Sequence, residues 1–516
     1  MSEEYLLDDF CGGPFWDYNL TWNTTFPDFT PCFERTVLLW VPCAYLWVFA
    51  ALEVGYLKRS LDRLVPWSWV NISKMIVSLL VLVLVAIDFF YAVQRSSSGE
   101  EVFGVDYAAP AILFFTVFLQ LIFVFFEKKR GIQSSGYLFL FWLMLVLCSI
   151  PEYRTWFINI SDDPDSTDTV GFVLYMIYFP LIVVMLVLNC FADATPEYVH
   201  FSRGERPCPE TSASYFSRIM FAWLDPLIWR GYRQPLEQKN LWNLSYENAS
   251  HYVVSVWDNH YKKYMAKNEK KTSTNTWADQ TNNANHIEMS EKTENTSKKK
   301  VKISILPTML RTYGPAFSFG AFLKLIYDLL QFVSPLILSS LISFTENVNG
   351  NEPEWHGYFY ASIMFASAQL QSFILGQYFM KMFLVGLRIR TGVISAVYRK
   401  ALKISNSARK ESTVGEIVNL MSVDAQRFMD LTTYLNMIWS APLQIALCLV
   451  LLFRQLGPSV LAGLGVLIVL IPVNGFIANK TKILQISQMK CKDKRVKLMN
   501  EILNGIKVKS CCIIMN

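Results

Sequence analysis

The sequence predicts an all-α, polytopic membrane protein, and three observations lead to that fold class. Hydrophobic residues make up 53% of the 516-residue chain and charged residues only 17%, which is too apolar for an ordinary soluble protein. Several apolar runs approach or exceed the roughly 20 residues that a helix needs to cross a bilayer. The basic residues cluster beside these runs as topology signals, so the net charge of +5 does not indicate a nucleic-acid partner.

The first 192 residues predict an extracellular segment followed by a five-helix N-terminal transmembrane domain. Residues 1–33 carry acidic residues but no basic residue, so they do not form a cleavable signal peptide. Five apolar runs of about membrane-crossing length follow, which assigns the domain to residues 34–192. The expected spans are residues 34–54, 70–92, 107–126, 136–156 and 171–191.

The loop charges predict the orientation of these spans. The first loop is basic, with Lys58 and Arg59, and the third contains the basic run 128–130, whereas the second and fourth loops are acidic. Because cytosolic loops carry the excess of Lys and Arg, the first and third loops are expected in the cytosol and the N-terminus outside. Asn19 and Asn23 each begin a sequon on that outside segment, so both are expected to be glycosylated.

Two cysteines share the outside segment. An oxidising compartment permits a disulfide between Cys11 and Cys32, and the alternative is a pair of free thiols at the membrane edge. The other eight of the ten cysteines are scattered without the spacing of metal ligands, so no metal site is expected.

Two acidic residues, Glu53 and Asp88, fall within or near the ends of expected spans. A carboxylate in a membrane helix is costly and is a functional candidate by default. Both lie within reach of an interface, so snorkelling or a local partner is the expected explanation.

A cytosolic linker is expected at residues 193–312. Within it, residues 214–237 alternate apolar and basic side chains, which predicts an interfacial amphipathic helix; a plain cytosolic helix is the alternative. Residues 267–302 are rich in Lys, Asn, Thr and Glu and have few apolar side chains to bury, so they are expected to be disordered.

A second membrane block follows over residues 313–508. Its expected spans are residues 316–344, 357–386, 430–454 and 458–479. Helical patterning continues through the charged region 386–430, which indicates helices that extend well beyond the bilayer.

Two charged residues, Lys324 and Asp328, lie four positions apart within the first span of this block, so they share one helical face. Buried charges in hydrocarbon cost several kcal/mol unless they are paired or face water. Two readings remain open: a self-contained ion pair, or a cavity in which Lys324 binds an anion and Asp328 holds Lys324 in place.

The stretch from Val414 to Asp430 is amphipathic. Ile417, Leu420 and Met421 recur at spacings of three and four, whereas Glu416 and Asp424 carry charge. Such a helix at the cytosolic rim can offer its apolar face to a partner protein, and an ordinary amphipathic loop helix is the alternative.

From Trp355 to Val508 the sequence resembles ATP-binding cassette exporters of subfamily C, the multidrug resistance-associated proteins. The linker resembles the same family through Pro235, Leu236 and Glu237, followed by Leu241 and Trp242. This resemblance implies an ATP-driven exporter of organic anions and of glutathione and glucuronide conjugates. It also implies that residues 414–430 form the first coupling region, which contacts a nucleotide-binding domain.

The resemblance further implies a substrate-binding cavity. The residue matching Lys324 helps bind the peptide part of glutathione conjugates in the family. Tyr327 stands where the best-known members have histidine, and its hydroxyl can still donate a hydrogen bond. Leu375, Phe379 and Tyr434 match family positions that line the same cavity, where they would cover the apolar part of an amphipathic anion.

The ATPase chemistry of the family has no counterpart in this sequence. A phosphate-binding loop reads G-x-x-x-x-G-K-[ST], and the chain contains no Gly-Lys pair. The family's membrane block has six spans, of which about four are expected here, and residues 509–516 do not match the family. No cofactor is therefore expected on this chain, although full-length relatives use Mg-ATP, and the chain alone is expected neither to hydrolyse ATP nor to pump.

Three readings of function follow. The leading one is the N-terminal part or a short isoform of an exporter; the second is a membrane regulator resembling a sulfonylurea receptor. A secondary carrier or channel is the third, but it would have no soluble engine for residues 414–430 to contact. The expected partners are membrane lipid and amphipathic organic anions, and not nucleic acid. The plasma membrane is the expected location, with vacuolar, lysosomal or endoplasmic reticulum membranes as alternatives.

Overall fold

The structure, a computed structural model, describes residues 9–59, 65–99, 101–162, 168–194, 206–283, 305–346, 352–405 and 414–514. These residues form α-helices with short 3₁₀ and π-helical turns, and the described part of the chain contains no strand. The contacts divide the chain into two units, Met1–Asn436 and Met437–Asn516, and each unit is described by itself.

Five long helices form the N-terminal bundle, and each is long and apolar enough to cross a membrane. A short helix and a π-helical turn, at Pro31–Phe33 and Glu34–Leu38, lead directly into the first. The five helices are α1 (Leu39–Arg59), α2 (Trp69–Ser97), α3 (Gly104–Lys129), α4 (Gly136–Asp162) and α5 (Thr169–Asn189). They correspond to the five spans predicted from hydropathy.

The core of the bundle is formed by one inward stripe from each helix. Leu46, Val117, Phe141 and Ile182, from four different helices, are completely buried. On α2 the buried residues recur at spacings of three, four and seven, whereas intervening apolar residues such as Leu80 are about half exposed. Such outward apolar residues suit contact with lipid.

The outer end of the bundle is held together by polar contacts to Asp168. Its carboxylate accepts hydrogen bonds from the backbone N–H groups of Val170 and Gly171, both at 3.1 Å, and so begins α5. From α2, the Tyr91 hydroxyl donates to the same carboxylate at 2.8 Å and the Arg95 guanidinium donates at 3.3 Å. One side chain therefore both caps α5 and joins it to α2.

The linker differs from the single amphipathic helix expected at residues 214–237. It forms two shorter helices, α6 (Tyr215–Met220) and α7 (Asp225–Arg233). Phe221 separates them because its backbone is left-handed, with φ of +58°, which ends an α-helix. On α7, Ile228, Trp229 and Tyr232 are all more than half exposed, as the expected contact with a lipid surface requires.

The next helix, α8, spans Ser250–Asn283. It enters the stretch 267–302 that the composition predicts to be disordered, and residues 284–302 lie outside the described residues.

In the part of the second membrane block that belongs to the first unit, the described residues form five helices and a π-helical turn. Its helices are α9 (Leu306–Leu330), α10 (Val333–Glu346), α11 (Trp355–Lys403), α12 (Val414–Asn419) and, after the turn Leu420–Asp424, α13 (Ala425–Tyr434). The expected span 316–344 is thus divided at residues 331 and 332. Pro335 explains this break, because a proline ring clashes with the carbonyl group four residues earlier, at Gln331.

The second unit contains α14 (Met437–Leu456) and α15 (Val460–Ile514). The turn Gly457–Ser459 joins them, and Gly457 has φ of +61°, which only glycine adopts without strain. The expected span 430–454 is interrupted between α13 and α14. The last helix extends far beyond the expected span 458–479 and continues through residues 509–514.

Two contacts join segments that are distant along the chain. Trp355 and His356 at the start of α11 bond the backbone carbonyl oxygens of Thr24 and Trp22, at 2.9 and 3.0 Å. The Tyr215 N–H donates to the Ser134 hydroxyl at 2.7 Å. Each contact joins segments that the charges assign to the same side of the membrane.

Candidate substrate-binding site

The Lys324–Asp328 pair lies one turn apart on α9 and is buried. The ammonium nitrogen of Lys324 donates to Asp328 Oδ1 at 2.6 Å. Lys324 is 8% exposed and Asp328 is completely buried. A buried ion pair is strongly destabilised when one partner is removed, because the other charge is left without compensation.

Aromatic groups surround this pair. The Lys324 nitrogen lies 4.7 Å from the centre of the Tyr327 ring, within cation–π range. On α11, Tyr378 lies within electrostatic range of Asp328 and is 2% exposed. Its hydroxyl donates to the Thr433 carbonyl oxygen at 2.9 Å, so it ties α11 to α13. The site is therefore built on three helices, α9, α11 and α13.

The remaining predicted cavity residues lie beside the Tyr378–Thr433 contact. Leu375 packs against the buried cluster of this block. Phe379 and Tyr434 each directly follow one of the two bonded residues along the chain, and they are 36% and 62% exposed. The structure thus gives α11 and α13 exposed aromatic groups next to a buried junction. Among the described residues, the cation–π contact of Lys324 is with Tyr327 and not with these groups.

Close helix packing fixes the site. A Cβ added at Gly320 of α9 would lie 2.1 Å from the terminal methyl group of Met382 on α11. At Gly386 of α11 an added Cβ would meet the backbone Cα of Met429 on α13 at 3.1 Å. Glycine at these two positions allows the neighbouring elements to approach closely.

The coupling residues separate onto two faces. Ile417 and Met421 are half-buried and lead, at a spacing of four, to Ala425, which is 1% exposed. Leu420, expected on the apolar face, is instead 46% exposed. The chain is π-helical from Leu420 to Asp424, and this wider turn changes which residues share a face.

The exposed face of the coupling segment carries Glu416, Leu420 and Asp424. Two carboxylates with an apolar residue between them form a mixed surface at the end of the block. Sequence periodicity alone did not separate this face from the packed one, because the π-helical turn cannot be read from the spacing of apolar residues.

The outside segment contains the predicted disulfide and sequons. Cys11 and Cys32 are joined by a disulfide, with their Cα atoms 5.3 Å apart. The side chains of Asn19 and Asn23 are exposed, and the Asn23 amide donates to the Asn19 side-chain oxygen at 3.3 Å. The closed loop also presents Trp22, whose ring stacks on His356 of α11 with centroids 4.4 Å apart.

The linker makes contacts with the site helices that the sequence did not predict. From α11, the Gln377 amide donates to the carbonyl oxygens of Arg218 and Ile219, at 3.1 and 3.3 Å. Burial raises the pKa of the Tyr215 phenol at the start of α6, and the nearby Arg218 charge opposes that rise. The only sequence signal for these contacts is the run of aromatic and basic residues in the linker, and that run is equally typical of a lipid-facing helix.

Farther along the linker, Arg388 of α11 binds Asn248 and Glu247, at 2.8 and 3.2 Å. Trp257 of α8 is 1% exposed, and it lies against Gly392, where an added Cβ would be 2.9 Å from the indole ring. The linker is thus bound along the C-terminal half of α11. Among the described residues, no group of three or more His, Cys, Asp or Glu side chains could hold a metal ion.

Two family models match the chain. The model described as the ABC transporter transmembrane region matches residues 317–508, which run from within α9 to near the end of α15. The model described as the ABC transporter TMD0 domain matches residues 18–168, which contain most of the N-terminal bundle.

Curated relatives match almost the whole chain. ATP-binding cassette sub-family C member 3 of Homo sapiens is 40% identical over 507 residues, which is 97% of this chain and 33% of that protein. The Mus musculus member 3 is 39% identical with the same coverage, and Rattus norvegicus member 2 is 34% identical over 520 residues. The chain spans about a third of the length of the curated relatives it matches. With a TMD0 domain, an ABC transmembrane region and these relatives, the chain belongs to the ATP-binding cassette transporter family, subfamily C.

Proposed function

We propose that this chain forms the N-terminal part of an ATP-driven exporter of organic anions, including glutathione and glucuronide conjugates. The observation that carries this proposal is the buried lysine of α9, held by Asp328 at 2.6 Å and placed beside the Tyr327 ring. A lysine ammonium has three N–H donors, and Asp328 accepts from one of them. Two donors can then serve an anionic group of the substrate.

In this function Asp328 acts as a positioning residue and Lys324 binds the anion. A charge-assisted hydrogen bond to a carboxylate contributes about 1.5–3 kcal/mol, which supports useful affinity in a cavity shielded from water. Phe379 and Tyr434 offer exposed aromatic surface for the apolar part of the substrate. The Tyr327 hydroxyl is a further hydrogen-bond donor on the Lys324 side.

We propose that the exposed face with Glu416, Leu420 and Asp424 couples transport to ATP hydrolysis. Ile417 and Met421, on the half-buried face, hold this segment in place. Hydrolysis in this class requires a Gly-rich loop around the phosphates, with a lysine and a hydroxyl group in fixed positions. The printed sequence contains no such loop. We propose that the ATPase domains are separate from residues 1–516 and that these residues alone neither hydrolyse ATP nor pump.

The test uses a longer protein that contains these residues and covers the full length of its relatives. It compares the Lys324→Met variant of that protein with the wild type. Uptake of a glutathione conjugate into inside-out vesicles should show about a tenfold loss of apparent affinity, because one charge-assisted bond is lost. Lys381→Met is the matched control, since Lys381 is an exposed lysine on α11. Unchanged affinity in Lys324→Met, with normal amounts of protein in the membrane, would make the ion pair purely structural.

A further inference from the structure

The N-terminal bundle encloses a cavity that the proposed transport function does not use. All five membrane helices line it, and its volume is about 140 Å³. A cavity of about 150 Å³ holds one benzene-sized molecule, so there is room here for a small organic group. The cavity lies in the outer half of the bundle, since Asp106 in the first turn of α3 and Asp168 at the start of α5 both line it.

Asp88 lies on the inward face of α2. Val81, Val85 and Ala92 are seven, three and four positions away from it, and all three are buried. These spacings place the four residues on one helical face. Asp88 itself is exposed and lines the cavity, so the surface that it exposes is cavity surface. Of the two explanations expected for Asp88, snorkelling or a local partner, its place in the cavity lining favours a partner inside the bundle.

The cavity lining has an excess of negative charge. Two carboxylates are matched by guanidinium groups, because Asp106 pairs with Arg35 and Asp168 pairs with Arg95. The other two carboxylates, of Asp88 and Glu152, have no ion pair within 4.0 Å in the described part of the chain. A cation is the ligand that would compensate these two charges.

Aromatic groups complete the lining. Trp156 and Tyr175 lie beside Glu152, and Tyr91 is on the Asp88 side. Tyr178 is 8% exposed and lies within electrostatic range of both Asp88 and Glu152. The Ser149 side chain is close to its hydroxyl, but the hydroxyl makes no hydrogen bond of good geometry to any described residue. A buried hydroxyl without a partner is destabilising, so Tyr178 offers a hydrogen-bonding group to a polar ligand in this cavity.

We propose that the cavity binds a small organic ammonium ion. Asp88 and Glu152 are its charge partners, the rings of Trp156 and Tyr175 contact its alkyl substituents through cation–π attraction, and Tyr178 supplies a hydroxyl. Aromatic rings arranged around carboxylates recognise quaternary ammonium groups in this way. The ammonium group can come from a free amine or from the choline head group of an outer-leaflet lipid, and the chemistry of recognition is the same.

The test uses the purified chain of residues 1–516 in nanodiscs of phosphatidylglycerol, so that no lipid ammonium competes. Choline chloride is titrated while thermal unfolding is recorded, and sodium chloride at equal ionic strength is the salt control. The neutral isostere of choline, in which carbon replaces the ammonium nitrogen, is the ligand control. Choline should raise the unfolding temperature in a saturable manner, and neither control should do so.

Variants of the two charge partners test the geometry. Asp88→Asn and Glu152→Gln should each weaken the apparent choline affinity about tenfold, because each removes one charge partner. Glu53→Gln is the matched control, since Glu53 is a carboxylic acid of the same bundle that does not line the cavity. If an acid variant does not fold, Trp156→Leu and Trp156→Phe replace it, and only the Leu variant should lose affinity.

Equal responses to choline and its neutral isostere, or choline responses in the cavity variants that match wild type, would overturn the proposal. A parallel titration in phosphatidylcholine nanodiscs identifies the source. If choline acts only in phosphatidylglycerol, the lipid head group is the occupant, and if it acts equally in both lipids, the occupant is a free amine. This binding test is independent of transport, so it does not depend on the outcome for Lys324.

Discussion

The N-terminal bundle and the second unit have similar apolar helices, but they are packed differently. In the bundle, completely buried side chains from all five helices meet in one core, and polar contacts such as those of Asp168 join the helix ends. In the second unit only Val460 and Ser440 are buried among the described residues, and side chains such as Ile471 on α15 are 70% exposed. Apolar composition places a helix in a membrane, whereas packing against neighbours requires small residues, polar pairs and complementary shapes.

The largest expected difference between the two regions concerns side-chain truncation. Trp142 on α4 is completely buried, so Trp142→Ala should lower the free energy of unfolding by about 3 kcal/mol through the cavity that it leaves. Leu467 on α15 is 57% exposed, and Leu467→Ala should change the same quantity by less than about 1 kcal/mol. Thermal unfolding of both variants in one detergent measures the contrast. If both variants lose a similar amount of unfolding free energy, then the difference in packing produces no difference in stability.

A smaller expected effect compares two helix glycines. Gly386→Ala should lower the free energy of unfolding by about 1–2 kcal/mol, because its Cβ would meet the α13 backbone at 3.1 Å. Gly463→Ala should raise it by about 0.5–1 kcal/mol, because an added Cβ there has nothing within 4 Å and alanine favours the helix. Chemical denaturation should therefore show changes in unfolding free energy of opposite sign for the two variants. A stabilising Gly386→Ala would show that α11 and α13 can separate without cost.

The last prediction concerns the two sequons, and it expects no change in stability. Asn19→Gln combined with Asn23→Gln should increase gel mobility as much as glycosidase treatment of the wild-type protein does. The two side chains are exposed, so unfolding temperatures should agree within about a degree. If the double variant migrates like untreated wild type, then the N-terminus is not glycosylated at these positions.

The membrane helices were largely predictable from the sequence, because hydrophobic run length is a local property. The break before α10 was also available in principle, since Pro335 lies four residues after Gln331. The length of α15 could not be predicted in this way, because the C-terminal half of that helix lacks the continuous apolar character that was used to find spans. Periodicity grouped Leu420 with Ile417 and Met421, whereas the structure exposes Leu420 more than those two residues, because a π-helical turn leaves no trace in apolar spacing.

The candidate site was predictable only in part. Lys324 and Asp328 meet because they are one turn apart, and one-turn spacing can be read directly from sequence. The junction of Tyr378 with Thr433 and the contact of Arg388 with Glu247 join residues that are 55 and 141 positions apart. A single sequence contains no signal for such distant pairs.

The contact between Trp22 and α11 has a consequence for the order of events during synthesis. The hydrogen bond between His356 and the Trp22 carbonyl joins residues 334 positions apart. At roughly 5–20 residues per second, the ribosome needs roughly 15–70 s to make the intervening chain. During that interval the loop has no α11 to contact. The Cys11–Cys32 disulfide can therefore form before the loop meets α11, so that α11 packs against a loop that is already closed.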